Sequence, residues 1–290
     1  MGRSAGDLAR GLLLGLLCAT TVRAQGFDPL VADPPPGAPA AQMRELAIPS
    51  HGARLFGVFY VAGGAAPHPT VVLLHGFAGF EQNEDLAQAI RRAGFNTLIF
   101  HYRGAWGSEG AFSFAHCIED THAVLAYLRA HAQELAVDPR RLVLVGHSVG
   151  GLTAGIATAA DPAVAGLAMI SPANRRLTLG QPGAAQVLRA HYREELGPLR
   201  GATPGALVAE LQAHADSWDL AQLAPRWQER PVLLISSDDA FKAEDAAVAA
   251  AAARAGPRYL RTEHFATDHA YSGARVALTR ALLDWLRQFR

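Results

Sequence analysis

Cysteine is nearly absent from this chain. Only Cys18 and Cys117 occur in 290 residues, so a disulfide framework cannot underlie the fold, and ordinary apolar packing must hold it. An excess of basic residues is also missing. Lys+Arg and Asp+Glu both number 26, giving a formal charge of zero and a pI of about 7.2. With no basic stripe and no run of like charge, no nucleic-acid partner is expected. Long hydrophobic runs are lacking as well. Gly11–Ala19 is too short to span a bilayer and no later stretch does better, so no stable membrane span is expected. Neither G-x-x-x-x-G-K-[ST], nor a strand-linked G-x-G-x-x-G, nor H-E-x-x-H, nor a Cys/His cluster is present. Neither nucleotide dependence nor a metal is expected on that ground, and His264, Asp268 and His269 form only a weak ligand trio.

The N-terminus has its own pattern. Arg3 and Arg10 precede the apolar run Gly11–Ala19, and Val22-Arg23-Ala24 sets up a cut ahead of Gln25. A positive start, a short apolar centre and a small-residue cut site read as a secretory signal peptide over residues 1–24. Its removal would take Cys18 with it and leave Cys117 alone. With the Ala- and Arg-rich composition, this points to a secreted or periplasmic bacterial protein. Residues 25–42, with Pro34-Pro35-Pro36, read as a Pro-rich linker.

From Met43 onward, with half of the whole chain hydrophobic, there is material for one large core. Met43–Ile48 and Arg54–Val61 predict a hairpin-like pair of strands. Apolar runs at Thr70–Leu74, Thr97–His101, Arg141–Val145, Val164–Ile170, Pro231–Ile235 and Arg258–His264 predict further strands. Helical spacing at Asp85–Ala93, Ile118–His131, the stretch up to Ala160 and Arg275–Phe289 alternates with them. Such alternation implies an α/β fold with a mostly parallel sheet covered on both faces. Ligands then sit beyond the carboxyl ends of the strands. Residues at about 173–228 hold helical patterns, including Ala184–Glu195 and Ala206–Ala215, and no convincing strand. They read as a small helical cap insert over that end.

Gly146-His147-Ser148-Val149-Gly150 stands between a strand and a helix, the setting of a G-x-S-x-G nucleophile elbow. A sharp turn there pushes the serine hydroxyl out over the sheet, and the glycines let backbone pass without a Cβ clash. A serine nucleophile needs a base, and the base needs an orienting acid. The acid is sought at Ser236-Ser237-Asp238-Asp239, after a strand. Asp239 is preferred, Asp238 is the alternate, and one of the pair, Asp238 by preference, caps the following helix. The base is sought after the last strand, at His269 rather than His264. Oxyanion donors are expected from the backbone N–H groups of Val149 and Phe77, with His75 packing the loop that carries Phe77.

These pieces together resemble the α/β-hydrolase superfamily from about residue 43 to the end. The resemblance rests on His75-Gly76-Phe77, Tyr102-Arg103-Gly104 with Trp106-Gly107-Ser108-Glu109-Gly110, Gly146–Gly150, Asp239 and His269. Within that superfamily the chain is most similar to serine esterases and to the catalytic domains of prolyl-oligopeptidase-like peptidases. The resemblance implies a Ser148-His269-Asp239 triad and an acyl-enzyme intermediate without cofactor. One departure stands out: Ser236-Ser237 replaces the common His-Gly or Ala-Gly pair of the acid turn.

The expected activity is hydrolysis of a small-molecule acyl ester, falling at acid pH as His269 protonates. A peptidase or aminopeptidase acting on short peptides is the alternative, for which Glu194, Glu195 and Glu210 of the cap could hold a free amine. A non-catalytic binding protein on the same fold is the third reading. Arg103 is expected in a buried ion pair. Phe112, Phe114 and Trp106, like the cap residues Tyr192 and Trp218, could line an acyl pocket or be plain core.

Overall fold

The computed structural model describes residues 27–36, 39–227, 229–256 and 260–290. The segment read as a signal peptide lies outside them. Eight strands form one sheet: β1 (Gln42–Ser50), β2 (Ala53–Val61), β3 (His68–Leu74), β4 (Asn96–Phe100), β5 (Val137–His147), β6 (Gly166–Ile170), β7 (Val232–Ser237) and β8 (Leu260–Phe265). Their spatial order is β1-β2-β4-β3-β5-β6-β7-β8. β1 pairs antiparallel with β2 and β2 with β4, while every pairing from β4 to β8 is parallel. The fold is that of an α/β hydrolase.

The period of two in a strand divides the apolar runs between two cores. Val72, Leu74, Leu142, Leu144, Leu167, Met169, Val232 and Leu234 face one side. There they meet α2 (Phe114–Ala130), α3 (Val149–Ala160) and α8 (Lys242–Arg254). Val71, Leu73, Val143, Val145, Ala168, Ile170, Leu233 and Ile235 face the other side, against α1 (Glu84–Arg92) and α9 (Arg275–Leu286). The central strands β3, β5, β6 and β7 are buried on both faces along these runs, which is why each reads as a continuous apolar run. Burial of each Leu or Ile there stabilises the fold by about 1.5–3 kcal/mol.

β5 begins four residues before its apolar run, because Val137 pairs with His68 ahead of a register shift. Helix α2 likewise starts earlier than its spacing suggests: Ser113 caps it by accepting from His116 N–H at 3.1 Å. Part of the segment read as a linker is docked. Pro29 carbonyl accepts from Arg92 Nε at 2.6 Å, Asp28 pairs with Arg280 at 2.8 Å, and Leu30 packs on the α1/α9 core.

Between β6 and β7 stand α4 (Arg176–Leu179), α5 (Ala184–Glu195), α6 (Pro204–Ala213), α7 (Leu220–Leu223) and a 3-10 turn, Ala224–Trp227. They form the helical cap. Its attachment to the main body is polar as well as apolar. Glu210 accepts from the Phe114 and Ala115 amides, both at 2.9 Å, at the start of α2. Arg200 amide donates to Gly104 carbonyl at 2.7 Å. Among the described residues no helix is long and apolar enough to cross a membrane.

Candidate active site

β5 ends at His147 and α3 begins at Val149, so Ser148 is the single residue of the turn. Its backbone sits at φ 56° and ψ −120°, a conformation that an L-residue holds only when its surroundings impose it. The two flanking glycines explain how the turn closes. A Cβ at Gly146 would lie 2.0 Å from Gly150 carbonyl oxygen, and one at Gly150 would lie 2.0 Å from Leu74 carbonyl oxygen. The loop after β3 then crosses the serine so closely that a Cβ at Gly76 would stand 3.0 Å from Ser148 Cβ.

Ser148 opens into a cavity of about 490 Å3 whose wall also includes Phe77, Val149, Asp239 and His269. The preferred nucleophile, base, acid and oxyanion donors therefore line one space, and the alternate acid Asp238 does not. Val149 is the first residue of α3, so its amide has no partner within the helix. His269 Nδ1 and Asp239 Oδ2 are 2.6 Å apart. Asp239 also accepts from Ser237 Oγ at 2.8 Å and from Phe241 amide at 2.7 Å. Burial works to raise the Asp239 carboxyl, but these hydrogen bonds, led by that from His269, outweigh it and hold the group well below the usual carboxylate range. Asp239 is thus a fixed carboxylate beside the imidazole.

Asp238 turns elsewhere. Its carboxylate is 2.6 Å from Lys242 Nζ and 3.3 Å from His264 Nε2, on the surface. The expectation that it caps the next helix is not met, since the amide of Phe241 takes Asp239 instead. His264 binds Ser236 Oγ at 2.9 Å, and Asp268 accepts from Ser272 amide at 2.8 Å. The three residues considered as metal ligands do not converge. Among the described residues no group of three or more His, Cys, Asp or Glu is placed to hold a metal ion.

Most of the neighbouring side chains brace the site from behind. His75 is buried and donates from Nδ1 to Gly76 carbonyl at 2.7 Å; burial lowers its pKa to about 4, so it is a neutral brace of the Phe77 loop. Trp106 Nε1 holds the same loop through Ala78 carbonyl at 2.8 Å. Phe112 and Phe114 are core, packed against Phe77 at 5.7 and 6.0 Å between ring centres. Arg103 pairs with buried Asp120 at 2.6 Å. Of the three cap glutamates, only Glu195 reaches the cavity; Glu210 is committed to α2 and Glu194 lies outside the wall.

Several contributors are not evident in the linear chain. His147 donates from Nε2 to His269 carbonyl at 2.8 Å. A buried hydroxyl chain runs from Tyr271 to Ser171 at 2.9 Å, on to Ser237 at 3.1 Å, and ends on Asp239. The serine that departs from the family's acid turn thereby supplies a donor to the carboxylate. That departure is the one signal of it in the sequence. Asp245, behind this turn, is buried with neither oxygen hydrogen-bonded.

Proteins of known sequence and structure share this architecture. Residues 71–280 match the sequence model of the alpha/beta hydrolase family. The chain is 37% identical over 83 residues to the uncharacterized protein YfhR of Salmonella typhimurium, covering 28% of this chain and 27% of that one. It is 32% identical over 95 residues to an uncharacterized 31.7 kDa protein of Escherichia coli, covering 32% and 33%. These matches span a third or less of the relatives' length. Among solved structures, brefeldin A esterase, a bacterial homologue of human hormone sensitive lipase, superposes with a TM-score of 0.66 at 18% identity, over 86% of this chain and 77% of that one. A thermophilic carboxylesterase from a metagenomic library gives 0.61 at 22%, over 89% and 92%, and a bacterial heroin esterase 0.62 at 23%, over 86% and 84%. At such identities the likeness is one of fold. With the family model matched across most of its length, the chain belongs to the alpha/beta hydrolase family.

Proposed function

We propose that the protein is a serine hydrolase that cleaves carboxylic esters of small molecules through an acyl-enzyme. The observation that carries this reading is the 2.6 Å contact between His269 Nδ1 and Asp239 in the wall of the cavity into which Ser148 opens. In this reading Ser148 attacks the acyl carbon while His269 takes its proton at Nε2. Asp239 keeps the proton on Nδ1 and stabilises the imidazolium. The Phe77 and Val149 amides receive the oxyanion. Its collapse breaks the ester C–O bond and expels the alcohol, which takes the proton from His269. Water deprotonated by His269 then releases the acid and restores Ser148. The largely apolar cavity suits an acyl chain.

A fluorophosphonate probe tests the proposal. Labelling of Ser148 in the native protein, lost in Ser148→Ala together with ester turnover, is the expected result. Absence of labelling in the native protein favours a non-catalytic binder.

Glu195 in the cavity wall is the one observation that favours an aminopeptidase, since a carboxylate there can hold a free amine. Among the described residues the other carboxylate in the wall, Asp239, is committed to His269 and leaves Glu195 alone to hold an amine, so the ester reading stands first. Faster turnover of aminoacyl amides than of esters with the same acyl group reverses this order. Export is proposed from the N-terminal pattern alone; an exported form beginning at Gln25 is the expected product, read by N-terminal sequencing.

A further inference from the structure

Arg175 lines the same cavity as Ser148 and His269, on the chain entering the cap. Its guanidinium lies over two aromatic faces, 4.6 Å from the ring centre of Phe241 and 6.0 Å from that of Tyr192. Stacking of this kind uses the π-face of the guanidinium and leaves its in-plane N–H donors available. Among the described residues no carboxylate stands within 4.0 Å of it, and the one side chain that engages its donors is the Tyr192 hydroxyl. The adjacent Arg176 behaves as surface arginines commonly do and pairs with Asp216 at 3.0 Å.

The other charges around the cavity are accounted for. Asp239 is held by His269, and Glu195 faces His191. Glu244 accepts from the Leu177 and Thr178 amides at 3.1 and 2.8 Å, which fixes the turn just after Arg175. The Tyr192 hydroxyl that Arg175 meets is itself buried, with that guanidinium as its one polar neighbour of note. Burial raises the pKa of that hydroxyl while the charge and hydrogen bond of Arg175 work against the rise, so the tyrosine stays neutral and brings no negative charge to the cation. A half-buried cation stacked on two rings, with in-plane donors to spare beyond the one on Tyr192, in a largely apolar pocket, is an arrangement that recognises a carboxylate on an amphiphilic ligand.

We infer that Arg175 selects substrates bearing a carboxylate in addition to the ester, that is, monoesters of dicarboxylic acids or esters of comparable charge. The inference rests on the reading of this cavity as an acyl-transfer site, but its test does not need turnover. In Ser148→Ala, binding of the monomethyl esters of succinic, glutaric and adipic acids is compared by calorimetry with that of methyl esters of the matching monocarboxylic acids. At least one charged ester should bind about tenfold or more tightly than its neutral counterpart. Adding Arg175→Gln should remove that preference, and Arg175→Lys should restore part of it. Equal binding of every charged and neutral pair overturns the inference, whether or not the double variants fold. Probe labelling of the unaltered protein reports separately on the hydrolase reading.

Discussion

His147 donates a hydrogen bond from Nε2 to the main-chain carbonyl of His269, 2.8 Å away, with the two rings 4.7 Å apart. The residue before the elbow serine thus holds in place the loop that carries the proposed base. Burial first, then the charge that His269 can carry, lowers the His147 pKa to about 3. It stays neutral at working pH and places no second cation beside His269. Its Nδ1 is buried without a partner, so the one hydrogen bond defines its tautomer.

Replacing His147 by Phe keeps a ring of similar shape and removes the donor. A hydrogen bond of this type is worth about 0.5–1.5 kcal/mol, so kcat for an ester substrate should fall about twofold to tenfold with KM nearly unchanged. Fluorophosphonate labelling of Ser148 should slow in parallel. A lower melting temperature with undiminished kcat and labelling rate would reduce His147 to a packing residue.

The two acid-turn aspartates should behave differently. Asp239→Asn leaves the shape intact but removes the charge that fixes the His269 tautomer, and should cost about a hundredfold to ten-thousandfold in kcat. Asp238→Asn touches only the exposed Lys242 and His264 contacts, and ester turnover should stay within about twofold. Steady-state rates of the two variants decide the assignment; comparable losses in both contradict it.

Asp245 lies behind the same turn, almost fully buried. Burial, then the nearby charges of Asp239 and Glu244, raises its pKa to about 8. An acid whose pKa is higher in the folded state binds its proton more tightly there. Stability from this group is therefore greatest at low pH and is lost as pH rises from the unfolded value of 3.8 towards about 8, by up to about 1.4 kcal/mol per pH unit. Asp245→Asn removes that slope. Urea denaturation should show the variant gaining on the parent as pH is raised from about 5 to about 8. The opposite slopes of buried His75 and His147 are common to both proteins and cancel. A constant difference across that range contradicts a protonated Asp245.

Much of the architecture was legible in the chain because it depends on local periodicity. The apolar run Val71–Leu74 could hardly be anything but a strand buried on both faces, and α5 falls on Ala184–Glu195 as its spacing predicts. The elbow was legible because a strained turn demands glycine at close approaches, and a Cβ at Gly146 or Gly150 would meet backbone at 2.0 Å. The ends of β5 and α2 were less so. They depend on Val137 finding His68 and on Ser113 capping, contacts that no periodicity encodes.

The sequence by itself determined the order of elements, the placing of Ser148 on its turn, and the presence of an aspartate and a histidine after the proper strands. Only the tertiary structure decided that Asp239 rather than Asp238 meets His269, that Ser237, Ser171 and Tyr271 form one hydroxyl chain, and that Arg175 stands without a carboxylate over Phe241. The reason is physical. Local pattern records which face of a strand or helix is apolar, whereas hydrogen bonds between residues far apart in the chain depend on side-chain directions that appear only when the strand ends are assembled side by side.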